Sequence, residues 1–249
     1  MRICMATIDM HMLQLNNISY TQKPELNYAL DLGWSERQSR PLMKDRQIPP
    51  PHGFRHLPLY FSPKEQAALI DCVKTAVKTA PFYQPTMPQT GAPLSVVMTN
   101  FGTLGWVTDK TQGYRYQTTH PKTGTPWPPL PDLLVKLWKE AADWPDLPEA
   151  CLVNWYREGS KMGPHIDSDE LAVNAPVISI SLGDPAMFRI GGPKRSGPTH
   201  RIKLMSGDVV IMGGASRQCY HSVSKIYYGQ SALVPKGGRI NLTMRRVKP

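Results

Sequence analysis

Arg239-Ile240-Asn241-Leu242-Thr243-Met244-Arg245 alternates apolar and polar side chains without a break. A period of two puts Ile240, Leu242 and Met244 on one face of a strand and Arg239, Asn241, Thr243 and Arg245 on the other. Two readings follow. In one, the strand lies at a sheet edge with its arginines in water, where charged side chains usually are. In the other the arginines point inward, and each desolvated guanidinium then requires an anion, preferably a planar carboxylate held by two parallel hydrogen bonds.

What lies upstream bears on the choice. His165-Ile166-Asp167 carries an imidazole and a carboxylate two residues apart, on one face of an extended segment, so that both reach one cation. The later histidines are His200 and His221, and His221 follows the apolar run Val209-Val210-Ile211-Met212, as a ligand carried near a later strand would. Two histidines and a carboxylate form the facial triad of non-haem iron(II) oxygenases, which leaves coordination positions open for a cosubstrate and O2. An H-x-D triplet alone is a weak signal. Beside a strand with two inward arginines it predicts a small dicarboxylic acid bound to both, and in iron oxygenases that acid is 2-oxoglutarate.

Around these two stretches the pattern is strand and turn. Strands are expected at 151–156, 176–182, 186–190, 200–205, 208–212, 219–223 and 239–246, separated by Gly, Pro and Asp, with a further one at 94–100. Many short strands so spaced predict a mainly β fold with flanking helices, a jelly roll of two sheets (a double-stranded β-helix) with room for a ligand between them. One flanking helix starts at Ser62-Pro63-Lys64-Glu65, a capping box with proline at the first helical position, and runs to about Thr79. A second runs from Pro131 to about Ala142, with Leu133, Leu134, Leu137, Trp138 and Ala141 inward. Between them Phe101, Trp106, Tyr114, Tyr116 and Trp127 sit among glycines and prolines, which reads as a structured loop or hairpin flap whose aromatics either stack on an unpaired base or pin the loop.

The chain of 249 residues is 41% hydrophobic, enough for one catalytic domain, expected over 51–249. Residues 1–50 show no sustained period and are expected to form a flexible extension ending at Pro49-Pro50-Pro51. Lys and Arg outnumber Asp and Glu by 29 to 19, a balance that favours an anionic partner such as nucleic acid. The four cysteines form no C-x-x-C pair, so neither a zinc knuckle nor a disulfide framework is indicated, and reduced thiols in a cytoplasm are expected. No run of 18 apolar residues predicts a membrane span, and Asp9, His11 and Gln14 interrupt any secretory leader. A monomer is expected.

Taken together, His165-x-Asp167, His221 and R-x-N-x-T-x-R at 239–245 resemble the AlkB-like iron(II)/2-oxoglutarate dioxygenases that repair alkylated nucleic acid, the bacterial members most. Asn154-Trp155-Tyr156, Pro176–Gly183, Gly191-Gly192-Pro193-Lys194-Arg195, Leu104-Gly105-Trp106 and Gln112–Tyr116 match as well, so that the likeness covers about Phe54 to Arg246. It implies iron(II) on His165, Asp167 and His221, and 2-oxoglutarate on Arg239 and Arg245 with help from Asn154, Tyr156 and Asn241. It further implies a nucleotide-recognition lid at about 94–130 over a jelly-roll core at about 150–246. Substrate contacts from Trp106, Tyr114, Asp169 and Arg195 are part of the same expectation. The implied reaction is oxidative demethylation of bases such as 1-methyladenine and 3-methylcytosine in single- or double-stranded DNA, with RNA as the alternative. 2-Oxoglutarate and O2 are consumed, and succinate, CO2 and formaldehyde are formed. Two departures from the family pattern stand out: one extra residue between Trp106 and Tyr114, and Met212 where the bacterial members carry tryptophan.

Rival readings keep part of this constellation. A related oxygenase acting on RNA, protein or a small molecule would share the iron site. A non-catalytic nucleic-acid-binding jelly roll would have lost it, and a zinc hydrolase would leave the two arginines without a role.

Overall fold

The strand Arg239–Arg245 lies at the heart of a six-stranded antiparallel sheet in the computed structural model, which describes residues 47–249. In chain order that sheet is built from β1 (Phe54–Leu57), β2 (Val97–Gly102), β5 (Ala150–Tyr156), β7 (Val177–Gly183), β10 (Val209–Met212) and β12 (Arg239–Arg245), arranged β1-β10-β7-β12-β5-β2. A four-stranded sheet of β6 (Met162–His165), β8 (Ala186–Ile190), β9 (His200–Leu204) and β11 (His221–Ile226) has the order β6-β11-β8-β9. The strands β3 (Gly105–Asp109) and β4 (Gly113–Gln117) form a separate hairpin. The expected fold of two sheets with flanking helices is therefore present. The expected N-terminal extension falls almost wholly outside the described residues.

The edge reading of β12 is overturned. It pairs along its whole length with β5 on one side and with β7 on the other, and all seven of its residues are buried. Ile240, Leu242 and Met244 pack in one core cluster with Leu69, Val73, Leu134, Leu137 and Trp138, the inward stripes of α1 (Pro63–Ala76) and α2 (Asp132–Ala141). Each such side chain contributes roughly 1.5–3 kcal/mol by leaving water. The opposite face of the large sheet meets the small one: Leu152, Tyr156, Val177, Val210 and Met212 cluster with Phe188, Ile190, Leu204 and Val223. Arg239, Asn241, Thr243 and Arg245 share that inner face with Asn154 and Tyr156, so the polar half of the alternation is enclosed between the sheets. Met212 is itself in this inner cluster, in register with Phe54 and Val177.

Helix α1 begins as its sequence predicts, with the Ser62 hydroxyl accepting from the Glu65 amide and the Glu65 carboxylate accepting from the Ser62 amide. It ends three residues early, at Ala76, where the amides of Lys78 and Thr79 bond to carbonyls three residues back and tighten the last turn. Strands β1 and β6 have no counterpart in the expected set. β6 contains Pro164, tolerable because β6 lies at the edge of its sheet. Among the described residues no helix is long and apolar enough to cross a membrane.

Placement of Arg239 depends on a buried carboxylate. Asp184, just after β7, accepts from the amides of Gly229, Gln230, Ser231 and Gly238 at 2.8–3.0 Å and so fixes both ends of the segment leading into β12. Gly238 has φ +88°, and a Cβ there would lie 2.3 Å from the Tyr156 carbonyl oxygen. Gly238→Ala is therefore expected to cost at least about 2 kcal/mol. Gly124→Ala, with φ +70° but nothing within 4 Å, is expected to cost only about 1 kcal/mol. Urea unfolding midpoints of the two variants give the comparison.

Candidate metal and cosubstrate site

Antiparallel pairing of β6 with β11 sets His165 directly opposite His221, with ring centroids 4.4 Å apart. Asp167 completes the group. Its Oδ1 is 3.8 Å from His165 Nε2 and its Oδ2 is 3.8 Å from His221 Nε2, and one donor atom from each residue lies within 4.8 Å of the others. β6 stops at His165, so Asp167 is aimed by the irregular segment after the strand and not by the extended period expected for H-x-D. Asp169 lies on the same irregular segment, outside any strand.

Both imidazoles are oriented by their own neighbours. The Nδ1–H of His165 donates to the Gly163 carbonyl at 2.9 Å and that of His221 to the Cys219 carbonyl at 3.2 Å, leaving both Nε2 lone pairs free for a cation. Burial pushes the His221 imidazole down to about 4 against the pull of Asp167, so it is neutral and ligand-ready at neutral pH. Burial alone would raise the Asp167 carboxyl, but the Arg245 guanidinium, with the two imidazoles, holds it well below the usual carboxylate range.

Arg245 is bound to protein carboxylates. Its Nη2 donates to Asp167 Oδ1 at 2.5 Å, and its Nη1 donates to Glu170 Oε1 at 2.9 Å and to the Tyr116 hydroxyl at 3.1 Å. Glu170 also accepts from the Tyr116 hydroxyl and, at 2.8 Å, from Arg217 Nη2. Arg217 returns to the metal ligand through its Nη1, which donates to the Asp167 carbonyl. Two carboxylates and two guanidiniums thus neutralise one another out of water, the condition under which buried charge is tolerated. Glu170 and Arg217 were not among the expected site residues, and nothing in their local sequence announces them. In the sequence Tyr116 stands out only as one of the aromatics of the hairpin flap.

At the other end of β12, six residues or roughly 20 Å of strand away, Arg239 is 1% exposed. Its Nη2 donates to Ser181 Oγ at 3.0 Å and its guanidinium lies 5.2 Å from the Tyr156 ring centre. Its Nε and Nη1 have no partner, and neither does the buried Asn154 Oδ1. Orphaned donors on a buried guanidinium are costly unless an anion meets them. A small carboxylate fits that requirement, and the His-Asp-His donor set fits a divalent iron ion. Asn241 is engaged within the protein, its amide donating to Ser179 Oγ at 2.7 Å and to the Ile180 carbonyl at 2.9 Å.

The hairpin carries Trp106 and Tyr114 as a stacked pair, with centroids 5.5 Å apart and planes at 22°. Trp106 Nε1 donates to Asp169 Oδ2 at 2.7 Å, tying the hairpin to a residue two positions from the metal ligand. Arg195 lies in the exposed β8–β9 loop and, with Lys194 and Pro164, lines a concavity bordered by His221. The structure thus brings His165, Asp167, His221 and Arg245 together, places Trp106, Tyr114 and Asp169 in one contacting group, and puts Arg195 at the rim.

Truncation of Glu170 tests the buried network. Glu170→Ala leaves Arg217 and Arg245 short of a counter-charge and is expected to cost about 3–5 kcal/mol, read by chemical denaturation. Tyr116→Phe, which removes one hydroxyl from the same cluster, is expected to cost about 1–2 kcal/mol.

Comparison with known proteins agrees with this geometry. Residues 53–245 match the family model of the 2OG-Fe(II) oxygenase superfamily. The chain is 47% identical over 196 residues to the alpha-ketoglutarate-dependent dioxygenase AlkB homolog of Caulobacter vibrioides, covering 79% of this chain and 88% of that one. Over 107 residues it is 38% identical to the DNA N(6)-methyladenine demethylase ALKBH1A of Arabidopsis thaliana, covering 41% of this chain and 31% of the relative. The solved structure of OsALKBH1 superposes with a TM-score of 0.67 at 30% identity, covering 81% of this chain and all of that one. The chain belongs to the 2OG-Fe(II) oxygenase superfamily, whose members use iron(II), 2-oxoglutarate and O2.

Proposed function

We propose that this dioxygenase oxidatively demethylates N-alkylated bases in nucleic acid, with DNA lesions of the 1-methyladenine and 3-methylcytosine type as substrates. In this reading the catalytic domain spans 51–249, with its lid at about 94–130 and its core at about 150–246, and it acts as a cytoplasmic monomer on single- or double-stranded strands. The observation that carries it is the shared anchorage of two devices: the stacked Trp106–Tyr114 pair bonds to Asp169, two residues from the metal ligand Asp167.

His165, Asp167 and His221 would hold the iron, and the Nε–H and Nη1–H of Arg239 would meet the far carboxylate of 2-oxoglutarate, beside Tyr156 and Asn154. Arg245 tethers Asp167 and has only its buried Nε left to offer a second carboxylate. Asn241 acts by bracing the neighbouring strand through Ser179 and Ile180. Iron with 2-oxoglutarate and O2 supplies a two-electron oxidation of the N-linked methyl group, which leaves as formaldehyde while the cosubstrate becomes succinate and CO2. Trp106 and the half-exposed Tyr114 offer flat faces to a base drawn out of its stack, each worth about 1–3 kcal/mol. That gain offsets the few kcal/mol needed to extrude a base whose pairing is already impaired. Arg195 stands where a neighbouring phosphate would pass. The relative's name as a DNA N(6)-methyladenine demethylase supports the same substrate class.

Formaldehyde release from methylated single-stranded DNA, with iron(II), ascorbate and 2-oxoglutarate present, is the test. Release is expected from the unaltered protein and none from His165→Ala; an inactive wild type across a lesion panel sinks the reading. Arg239→Lys keeps the charge and loses the planar fork, so its KM for 2-oxoglutarate is expected to rise at least about tenfold with the metal site intact. Anaerobic titration of the iron–2-oxoglutarate absorption band supplies the corresponding binding curve.

A further inference from the structure

The outer face of the four-stranded sheet has no role in the chemistry above, and its charge is one-sided. From residue 185 to residue 249 there are twelve Lys and Arg and one acidic residue, the buried Asp208. β6, β8, β9 and β11 contain no Asp or Glu. Pairing of β8 with β9 and β11 sorts the outward residues into rows: Arg189 stands between Arg201 and Ser222, and Met187 between Lys203 and Lys225. The rows are two residues apart, roughly 7 Å along the strands. At one end the β8–β9 loop adds Lys194 and Arg195 beside the concavity that borders His221. At the other, the ammonium groups of Lys203 and Lys225 lie 4.6 Å and 4.8 Å from the centre of a single ring, Tyr227. Among the described residues neither lysine has a carboxylate partner. Two cations gathered around one aromatic ring repel each other unless an anion joins them.

We propose that this face is a second nucleic-acid contact, a track on which the phosphodiester backbone of the substrate strand continues from the β8–β9 loop to Lys203, Lys225 and Tyr227. The proposal rests on the demethylase reading for its substrate class and extends it from the reacting nucleotide to its flank. Nucleic acid offers one negative charge per nucleotide along a line, which suits a file of cations.

The test compares the wild-type protein with the Lys203→Glu/Lys225→Glu double variant on a methylated trinucleotide and on a 15-nucleotide single strand bearing the same lesion. Formaldehyde release and fluorescence anisotropy are recorded across a salt series. Turnover of the trinucleotide is expected to be unchanged. Affinity for the 15-mer is expected to fall about tenfold at low salt, and the slope of log K against log salt to shallow by about 1.4, the share of two phosphate contacts. Equal 15-mer affinity and slope in the two proteins overturn the proposal. An equal loss on both probes overturns it too, since the damage would then be at the iron site. Loss confined to binding of poly-glutamate, with the 15-mer unaffected, would mark a surface for an acidic protein and overturn it as well. A wild-type protein that releases formaldehyde from neither probe counts against the demethylase reading, while its anisotropy curves still decide whether the track exists.

Discussion

The ion pair between Asp167 and Arg245 is the constraint on which the site depends. A carboxylate serving as a metal ligand must stay ionised and correctly aimed although it is buried, and burial by itself drives it towards the neutral form. Arg245 reverses that tendency, but a buried guanidinium brings its own desolvation cost. Glu170 answers Arg245, Arg217 answers Glu170, and Arg217 closes the circuit on the Asp167 carbonyl. Every member is needed because removing any one leaves a charge in a place that water does not reach.

That closed circuit also explains why the two arginines of β12 differ although the alternation makes them look equivalent. Arg245 has its terminal nitrogens bound to protein carboxylates, while Arg239 has only a serine hydroxyl and a tyrosine ring beside it. One guanidinium holds the carboxylate of the triad; the other keeps two buried donors without a partner. The six-residue separation along one rigid central strand sets the distance between these two tasks.

The inward direction of the arginines was undecided from the alternation alone, since an edge strand and a central strand can share it; what settles it is that β7 and β5 occupy both sides of β12. The triad was legible because H-x-D, weak alone, stands with a later histidine and the alternating arginine strand, and α1 because a capping box is a local device. Other features left no local trace. β6 reads Met-Gly-Pro-His and owes its strand form to pairing with β11, and the four residues of β1 are too short to show a period. Glu170 and Arg217 lie 47 residues apart and are brought together by the tertiary fold alone.

The hairpin reaches the metal centre through two separate bonds, Trp106 to Asp169 and Tyr116 to Glu170, and both recipients follow Asp167 within three residues of the chain. Tyr116 is deep in the cluster, whereas Tyr114, on the same strand, stands half in solvent. A change at Tyr114 therefore leaves the buried network in place, while loss of the Tyr116 hydroxyl removes its bonds with Glu170 and Arg245 beside Asp167. An exposed aromatic rim and the support of a buried carboxylate cluster are in this way divided between two residues of one five-residue strand.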